Sequence, residues 1–174
     1  MRGVLQLTNS FPPNIGGVET HLSDLTQALA QRGWNVCVLS YYPLTTKVPW
    51  RRFERTGCVR VWRLWWFGHG WFHVLERWAP AQFLYLVPRL LQGAFCWLCA
   101  HGREVEGIHA HGFAAGICAR LLAPVFRKRV VVSTHAVYDL EAGSALARVV
   151  AWILRGADRV IALSDESLRE CVRI

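Results

Sequence analysis

Short apolar runs alternate along the chain with longer segments in which apolar residues recur at helical spacing. The runs Val36-Cys-Val-Leu39 and Val130-Val-Val-Ser133 are apolar at successive positions, which is typical of parallel strands covered on both faces. Strands are predicted at about 3–8, 35–40, 58–64, 106–110, 129–134 and 158–163. Helices are predicted at about 18–32, 80–101, 113–124, 144–156 and 165–173. Right-handed crossovers between such units predict a single α/β domain over residues 1–174, built on a doubly wound parallel sheet.

A pair of glycines, Gly16 and Gly17, lies between the first predicted strand and the first predicted helix. The first amides of a helix are unpaired and lie at the positive end of its dipole, so a turn without side chains suits a phosphate. The alternative is a tight turn that needs glycine only for φ > 0 and binds no ligand. Neither Gly-x-Gly-x-x-Gly nor Gly-x-x-x-x-Gly-Lys-[Ser/Thr] occurs, which argues against a standard dinucleotide-binding dehydrogenase and a P-loop NTPase.

The longer string around these glycines, Phe11-Pro-Pro-Asn-Ile-Gly-Gly-Val-Glu-Thr-His21, resembles the N-terminal domain of family 4 glycosyltransferases with the GT-B fold. Three later motifs follow in the family's order: Ile108-His-Ala-His-Gly112, Val131-Val-Ser-Thr-His135 and Ala157-Asp-Arg-Val-Ile-Ala-Leu-Ser164. The resemblance implies the Rossmann-like N-terminal half of an enzyme that transfers a sugar from a nucleotide-sugar donor with retention of configuration. It also implies no cofactor and no essential metal, since the nucleotide-sugar is itself a substrate.

The resemblance also implies roles for particular side chains. His135 would contact the donor sugar at the reacting centre, which makes it the candidate catalytic residue. His109 and His111 would line the cleft near the acceptor, and His21 is a further candidate for acceptor binding. The glycine pair described above would bind the donor phosphates.

Other chemistries are less well supported at these positions. His109 and His111 point the same way on a strand, yet the pattern offers no third ligand, so no metal is expected. Glu19 and Asp24 resemble an acid–base pair, but a carboxylate in the first turn of a helix complements the dipole, and we interpret Glu19 in that way. A Gly-x-Ser-x-Gly nucleophile elbow is absent, so hydrolase chemistry has no support.

The stretch from about residue 47 to residue 100 differs in composition from the rest of the chain. It holds seven of the nine Trp, and seven basic against two acidic residues between positions 47 and 78 supply +5 of the net charge of +8. Trp prefers the bilayer interface and Arg favours anionic headgroups. Peripheral contact with an anionic membrane is therefore predicted, through Trp65, Trp66, Trp71 and Arg63.

Two alternatives remain open for this stretch: its apolar helix covers the sheet, or its aromatic side chains meet a partner protein. Pro88 and Arg89 interrupt the apolar run at 83–100, so a transmembrane span is not expected. Single-stranded nucleic acid stacks on aromatic residues, but no RNA-binding signature lies nearby, and no nucleic-acid partner is expected.

Cysteine usage and the start of the chain suggest a compartment. Cys96-Trp-Leu-Cys99 is the single close pair among six Cys, so a structural zinc site is not expected. We expect buried free thiols in a reducing cytosol instead. Met1-Arg2 leads directly into a strand rather than a signal peptide. We expect a cytoplasmic location, peripheral to the inner face of the membrane.

A complete GT-B enzyme has a second domain with the nucleoside pocket and a spaced pair of Glu, and these residues contain no such domain. We therefore expect an acceptor-side half that is inactive alone, from an enzyme whose acceptor is lipid-linked or membrane-borne. A subunit of a split glycosyltransferase is one alternative. A non-catalytic module that binds a membrane or a partner is the other.

Overall fold

The computed structural model describes residues 2–68, 70–75, 77–135, 141 and 143–174. Seven strands form one sheet in the order β3-β4-β2-β1-β5-β6-β7, and every neighbouring pair is parallel except β3 and β4. The strands are β1 Gly3–Thr8, β2 Asn35–Tyr41, β3 Phe53–Thr56, β4 Val59–Leu64, β5 Gly107–His111, β6 Arg129–Thr134 and β7 Arg159–Ala162. The helices are α1 Gly17–Gln31, α2 Trp71–Leu75, α3 Ala79–His101, α4 Phe113–Phe126, α5 Ala145–Arg155 and α6 Asp165–Arg173, with a 3₁₀ turn at Gly102–Glu104.

The doubly wound α/β fold predicted from the sequence is confirmed. All six predicted strands and all five predicted helices are present, and their ends agree within two residues. The prediction omitted β3 and α2. Strand β3 is short and mostly exposed, so it lacks the apolar run that reveals the other strands.

The sheet is covered by helices on both faces. On one face, Leu22 of α1 packs with Val36, Val38 and Val61 of the neighbouring strands. On the other face, the larger core joins strand residues to α3, α4 and α5. Its members include Leu5, Leu39, Ile108, Val132, Leu86, Leu90, Ala119 and Val150. Burial from both sides explains why the strands read as continuous apolar runs.

The strand order changes direction next to β1. Strand β1 pairs with β2 on one side and with β5 on the other, and both pairs are parallel. The loops that leave the carboxyl ends of β1 and β5 therefore run to opposite sides of the sheet. A crevice at such a switch point is where open α/β sheets bind ligands.

Helix α3 packs as one layer of this fold. Among the described residues, the stretch Pro80–Glu104 is long and apolar enough to cross a membrane by length and composition, a test that core helices of soluble proteins also pass. In this structure Leu86, Leu90 and Leu98 of α3 are buried in the core beneath the sheet. The packing agrees with the interpretation of this helix as a cover for the sheet.

The structure corrects the placement of Arg63, which was predicted to contact a membrane. The residue is 3% exposed, because Arg63 lies on β4 and its side chain turns inward. The guanidinium donates to the backbone oxygens of Arg51 and Pro12 and forms an ion pair with Glu54 at 3.1 Å. A side chain enclosed in this way does not reach a lipid headgroup.

The cysteines are also less uniform than predicted. Cys37 and Cys118 are buried free thiols, as expected from the sequence. Cys58, Cys96 and Cys99 are exposed free thiols, because the apolar run that contains the last two turns part of its surface outward.

Candidate functional site

A pocket of about 450 Å³ opens at the switch point of the sheet. The ends of β1 and β5, the first turn of α1, the loop after β2 and helix α2 enclose it. More than half of its lining residues carry a hydroxyl, amide or imidazole group, and Glu19 is the one charged side chain among the described lining residues. Such a lining offers many hydrogen bonds to a ligand rich in hydroxyl groups.

Gly17 is the first residue of α1 and lines this pocket. Neither Gly16 nor Gly17 adopts the left-handed conformation, and Gly16 is extended at φ 173°, so the alternative that this turn needs glycine for a left-handed φ is wrong. A Cβ on Gly17 would meet nothing within 4 Å among the described atoms, whereas a Cβ on Gly16 would collide with the carboxylate of Glu19. The space in front of Gly17 is therefore open to a ligand.

Two helices begin at this pocket. Helix α1 has Gly16 as its N-cap and α4 has Gly112, and in the described structure neither start receives a side-chain cap. Gly112 takes φ +80°, a conformation that favours glycine, and its amide donates to the oxygen of Ser133 at 2.9 Å. Unpaired amides and two helix dipoles thus converge on one cavity, which suits an anion.

A network of polar side chains that the sequence analysis did not identify holds the mouth of the pocket. The Ser10 hydroxyl donates to Glu19, and the Asn14 amide donates to Ser10 Oγ at 2.8 Å. The Thr45 hydroxyl donates to Asn14 Oδ1 at 3.1 Å. Ser10 and Thr45 follow the carboxyl ends of β1 and β2, and this position is the signal that would have revealed them.

The four histidines singled out from the sequence lie together beside the pocket. His111 Nδ1 and His135 Nε2 are 3.1 Å apart, within hydrogen-bond distance, and both residues line the cavity. The ring of His109 lies 4.1 Å from that of His111, and its Nε2 bonds Ser133 Oγ at 2.7 Å. His21 packs edge-on against His135 at 5.6 Å. His109 and His21 support the wall of the pocket and are not among its described lining residues.

Burial keeps three of these histidines, His109, His111 and His135, uncharged. The pKa of His109 is lowered to about 4, mainly because burial removes its solvent and to a smaller extent because other histidines lie nearby. The same causes lower the pKa of His135 to about 4, against a smaller opposing effect of Glu19, and lower that of His111 well below its usual value. At neutral pH these imidazoles therefore act as hydrogen-bond donors and acceptors rather than as cations.

The aromatic side chains of the 47–100 stretch do not all face solvent. Trp65 is 62% exposed and Trp71 is 52% exposed. Trp66 turns inward instead and donates its indole N–H to the oxygen of Tyr85 at 3.0 Å, which corrects its placement as a membrane contact. Neighbouring apolar side chains that the sequence analysis did not name are also exposed: Phe67, Val74, Trp78 and Leu84.

No metal centre is found in the part of the chain that the structure describes. Three or more His, Cys, Asp or Glu side chains never come together there in a way that would hold an ion. His109 and His111 point the same way, as their spacing predicts, but they bond other side chains.

A doubly wound parallel sheet with this pocket at its switch point defines a Rossmann-like domain of the kind that forms one half of a GT-B glycosyltransferase. The chain belongs to glycosyltransferase family 4, because the model of that family matches residues 15–174. No curated protein gives a significant match to the sequence.

Solved structures of glycosyltransferases share the fold. Sucrose-phosphate synthase from Thermosynechococcus elongatus matches 99% of this chain and 45% of its own, with a TM-score of 0.70 and 18% identity. HepE from Anabaena, in complex with UDP and glucose, matches 99% of this chain and 41% of its own, with a TM-score of 0.58 and 22% identity. Starch synthase IV from Arabidopsis thaliana, bound to ADP and acarbose, matches 77% of this chain and 34% of its own, with a TM-score of 0.54 and 15% identity. The chain thus spans less than half the length of these three proteins.

Proposed function

We propose that this chain forms the acceptor-side half of a family 4 glycosyltransferase, which transfers a sugar from a nucleotide-sugar to an acceptor with retention of configuration. One observation carries the proposal: the open start of α1 at Gly17 and the His111–His135 pair line the same pocket. The first group suits a diphosphate and the second suits a sugar. Both are needed in one place for glycosyl transfer.

The donor would lie with its diphosphate toward the two helix starts. HepE binds UDP and glucose and starch synthase IV binds ADP, which supports a nucleotide-sugar as the donor. As the bond between the sugar and the diphosphate breaks, negative charge grows on the departing oxygen, and the amides at Gly17 stabilise it. Neutral His135 hydrogen-bonds the sugar and fixes its position. The new bond forms to the acceptor oxygen, whose proton passes to the departing diphosphate.

The rest of the donor site belongs, in this proposal, to a second Rossmann-like domain. That domain would supply the nucleoside pocket, basic groups for the diphosphate and a spaced pair of Glu. Support comes from the relatives, since this chain matches 45% or less of the three solved glycosyltransferases compared above. We propose that this half is inactive without its complement, whether that lies in the same chain or in another.

The acceptor is proposed to be lipid-linked or membrane-borne, and the enzyme to lie at the cytoplasmic face of a membrane. Exposed Trp65 and Trp71, with Trp78 nearby, offer indoles to a bilayer interface. The basic residues between positions 47 and 78 add attraction to anionic lipid. A polar pocket close to such a surface would admit the head of a lipid-linked sugar or polyol. Helix α2 joins the two features, because Phe72 lines the pocket and Trp71 is exposed.

The experiment begins by sequencing the gene beyond the codon for Ile174 and expressing the complete product. Its ability to release nucleoside diphosphate is then measured with a panel of nucleotide-sugars and membrane lipid extracts. We expect one donor to be consumed, His135→Ala to reduce turnover at least about 100-fold, and His101→Ala, a histidine outside the pocket, to remain active. Failure of the complete protein to consume any nucleotide-sugar would overturn the proposal.

A further inference from the structure

The hydrogen bond between His111 and His135 constrains which ring nitrogens carry protons. It joins Nδ1 of His111 to Nε2 of His135 at 3.1 Å. The second ring nitrogen of His111, Nε2, is fully enclosed and has no hydrogen-bond partner among the described residues. One proton lies between the rings, so the protonation of one histidine fixes the tautomer of the other.

We propose that His111 is a positioning residue that donates its Nδ1 proton to Nε2 of His135 and thereby holds His135 in the Nδ1–H tautomer. The opposite arrangement would give His111 a proton on Nε2 and leave an enclosed N–H without an acceptor. A buried donor without a partner is costly, and orphaned N–H groups are rarer than under-used acceptors. The chosen arrangement leaves only a lone pair at that position.

Neutral rings are required for this arrangement, and burial supplies them. The pKa of His135 is lowered to about 4 and that of His111 lies well below its usual value. The groups that face the pair are His109 on the same strand and His21 and Glu19 on α1. Two charged imidazoles would repel each other across 3.1 Å, so the hydrogen bond and the neutral state support each other.

The consequence for His135 is a defined hydrogen-bond donor at its second ring nitrogen, Nδ1. Its Nε2 accepts the hydrogen bond from His111, so its own proton lies on Nδ1, and the residue lines the cavity. The Nδ1 position therefore presents a hydrogen-bond donor, aimed by the contact with His111 and by the edge-on ring of His21. A fixed donor suits a sugar hydroxyl or the departing oxygen. This catalytic part rests on the proposed glycosyl transfer, whereas the tautomer does not.

The tautomer is measured first, by nitrogen NMR of the 174-residue chain labelled at histidine. The matched pair is His111→Asn, whose amide takes the place of Nδ1, and His111→Gln, whose amide reaches toward the place of Nε2. The wild type and His111→Asn should show His135 protonated on Nδ1 alone, and His111→Gln should show a mixture of tautomers. His101→Asn, outside the pocket, is the control and should leave the His135 signals unchanged.

Two results would overturn the inference: His135 protonated on Nε2 in the wild type, or the wild-type tautomer retained in His111→Gln. A dispersed amide spectrum establishes that each variant is folded. If His111→Gln is not folded, His111→Leu, which fills the site without a donor, takes its place in the comparison.

Turnover of the complete enzyme separates this inference from the proposed function. We expect kcat to fall about 10–100-fold in His111→Gln, with little change in KM for the donor, and to stay within a few-fold in His111→Asn. An active wild type with unchanged kcat in His111→Gln refutes the positioning role and leaves the function standing. A wild type that transfers no sugar refutes the function, while the NMR result still decides the tautomer.

Discussion

The guanidinium of Arg63 on β4 donates a hydrogen bond to the backbone oxygen of Pro12 in the loop after β1. The same loop carries Ser10 and Asn14, which hold the mouth of the pocket. A charge in the middle of the aromatic, basic stretch thus braces the loop that leads into α1. A residue that was predicted to contact lipid is therefore part of the support for the site.

Arg63→Ala should therefore destabilise the protein. The change removes a buried charge and leaves the oxygens of Pro12 and Arg51 without their donor, a loss of about 2–4 kcal/mol in the free energy of unfolding. Urea denaturation of the chain measures it. Arg55→Ala, at an exposed position on the neighbouring strand, is the control and should change stability by less than about 0.5 kcal/mol. Equal stability of Arg63→Ala and wild type would contradict this view of the loop.

Gly17→Val should abolish sugar transfer by the complete enzyme without unfolding the domain. A Cβ added at Gly17 meets no described atom within 4 Å, so the backbone there accepts a side chain, but a valine would occupy the space through which a diphosphate would reach the amides of α1. Gly17→Ala should raise the free energy of unfolding by about 0.4–1 kcal/mol, because glycine is a poor helix former, and should still reduce transfer. Opposite signs in stability and activity would distinguish a binding loop from a structural turn.

The control for this substitution lies on the same helix. Gln27→Val places the same side chain at an exposed position of α1 that does not line the pocket. Turnover should be unchanged in Gln27→Val. Normal transfer by Gly17→Val would refute the phosphate-binding role of the loop.

The double substitution Trp65→Ser and Trp71→Ser should weaken binding of the chain to anionic vesicles. Both indoles are more than half exposed, and withdrawing two of them from a bilayer interface should lower the partition coefficient roughly tenfold or more. Sedimentation with vesicles of neutral and anionic composition measures the effect. Because the stretch is basic, binding should be stronger to anionic than to neutral vesicles. High salt should reduce this difference, since it screens the charges.

Two single substitutions make this test specific. Trp152→Ser removes an indole that is 41% exposed on α5, away from the stretch, and should not change vesicle binding. Trp66→Ser should lower stability instead, because its indole is bonded to Tyr85 inside the fold. Unchanged sedimentation of the double variant would remove the membrane proposal.

Most of the fold was predictable because parallel strands buried on both faces leave continuous apolar runs in the sequence. The grouping of Gly17, His111 and His135 was predictable for a related reason. Each follows or ends a strand, and the carboxyl ends of parallel strands lie at one edge of a sheet.

The remaining features depend on contacts between distant positions, which no local pattern records. Arg63 is buried because the oxygens of Pro12 and Arg51 surround it, and neither appears in the spacing of residues along β4. The Ser10–Glu19 and Asn14–Thr45 hydrogen bonds join separate loops in the same way. Alternation on β4 shows that Arg63 and Val61 share a side of the strand, but not that this side is enclosed there.

The free energy of unfolding should decrease as the pH falls from about 6.5 to about 4. The imidazoles of His109 and His135 have pKa values of about 4 in the native protein and about 6.5 in the unfolded chain. Between these pH values the unfolded chain binds protons that the native state does not. The contribution of these two histidines to the free energy of unfolding is therefore fully present above pH 6.5 and is lost as the pH falls toward 4. Each group contributes a slope of at most about 1.4 kcal/mol per pH unit. Urea denaturation across this range measures the slope.

His109→Gln tests the assignment of this slope to the cluster. The amide can still bond Ser133, but it does not titrate. The slope of the free energy of unfolding against pH should therefore fall by up to about 1.4 kcal/mol per pH unit, the contribution of one proton. Stability above pH 6.5 reports the packing cost of the substitution, and the slope below it reports the lost titration, so the two effects separate. Parallel curves for wild type and His109→Gln would show that folding does not lower the pKa of His109, and would contradict the assignment of this slope to the buried histidines beside the pocket.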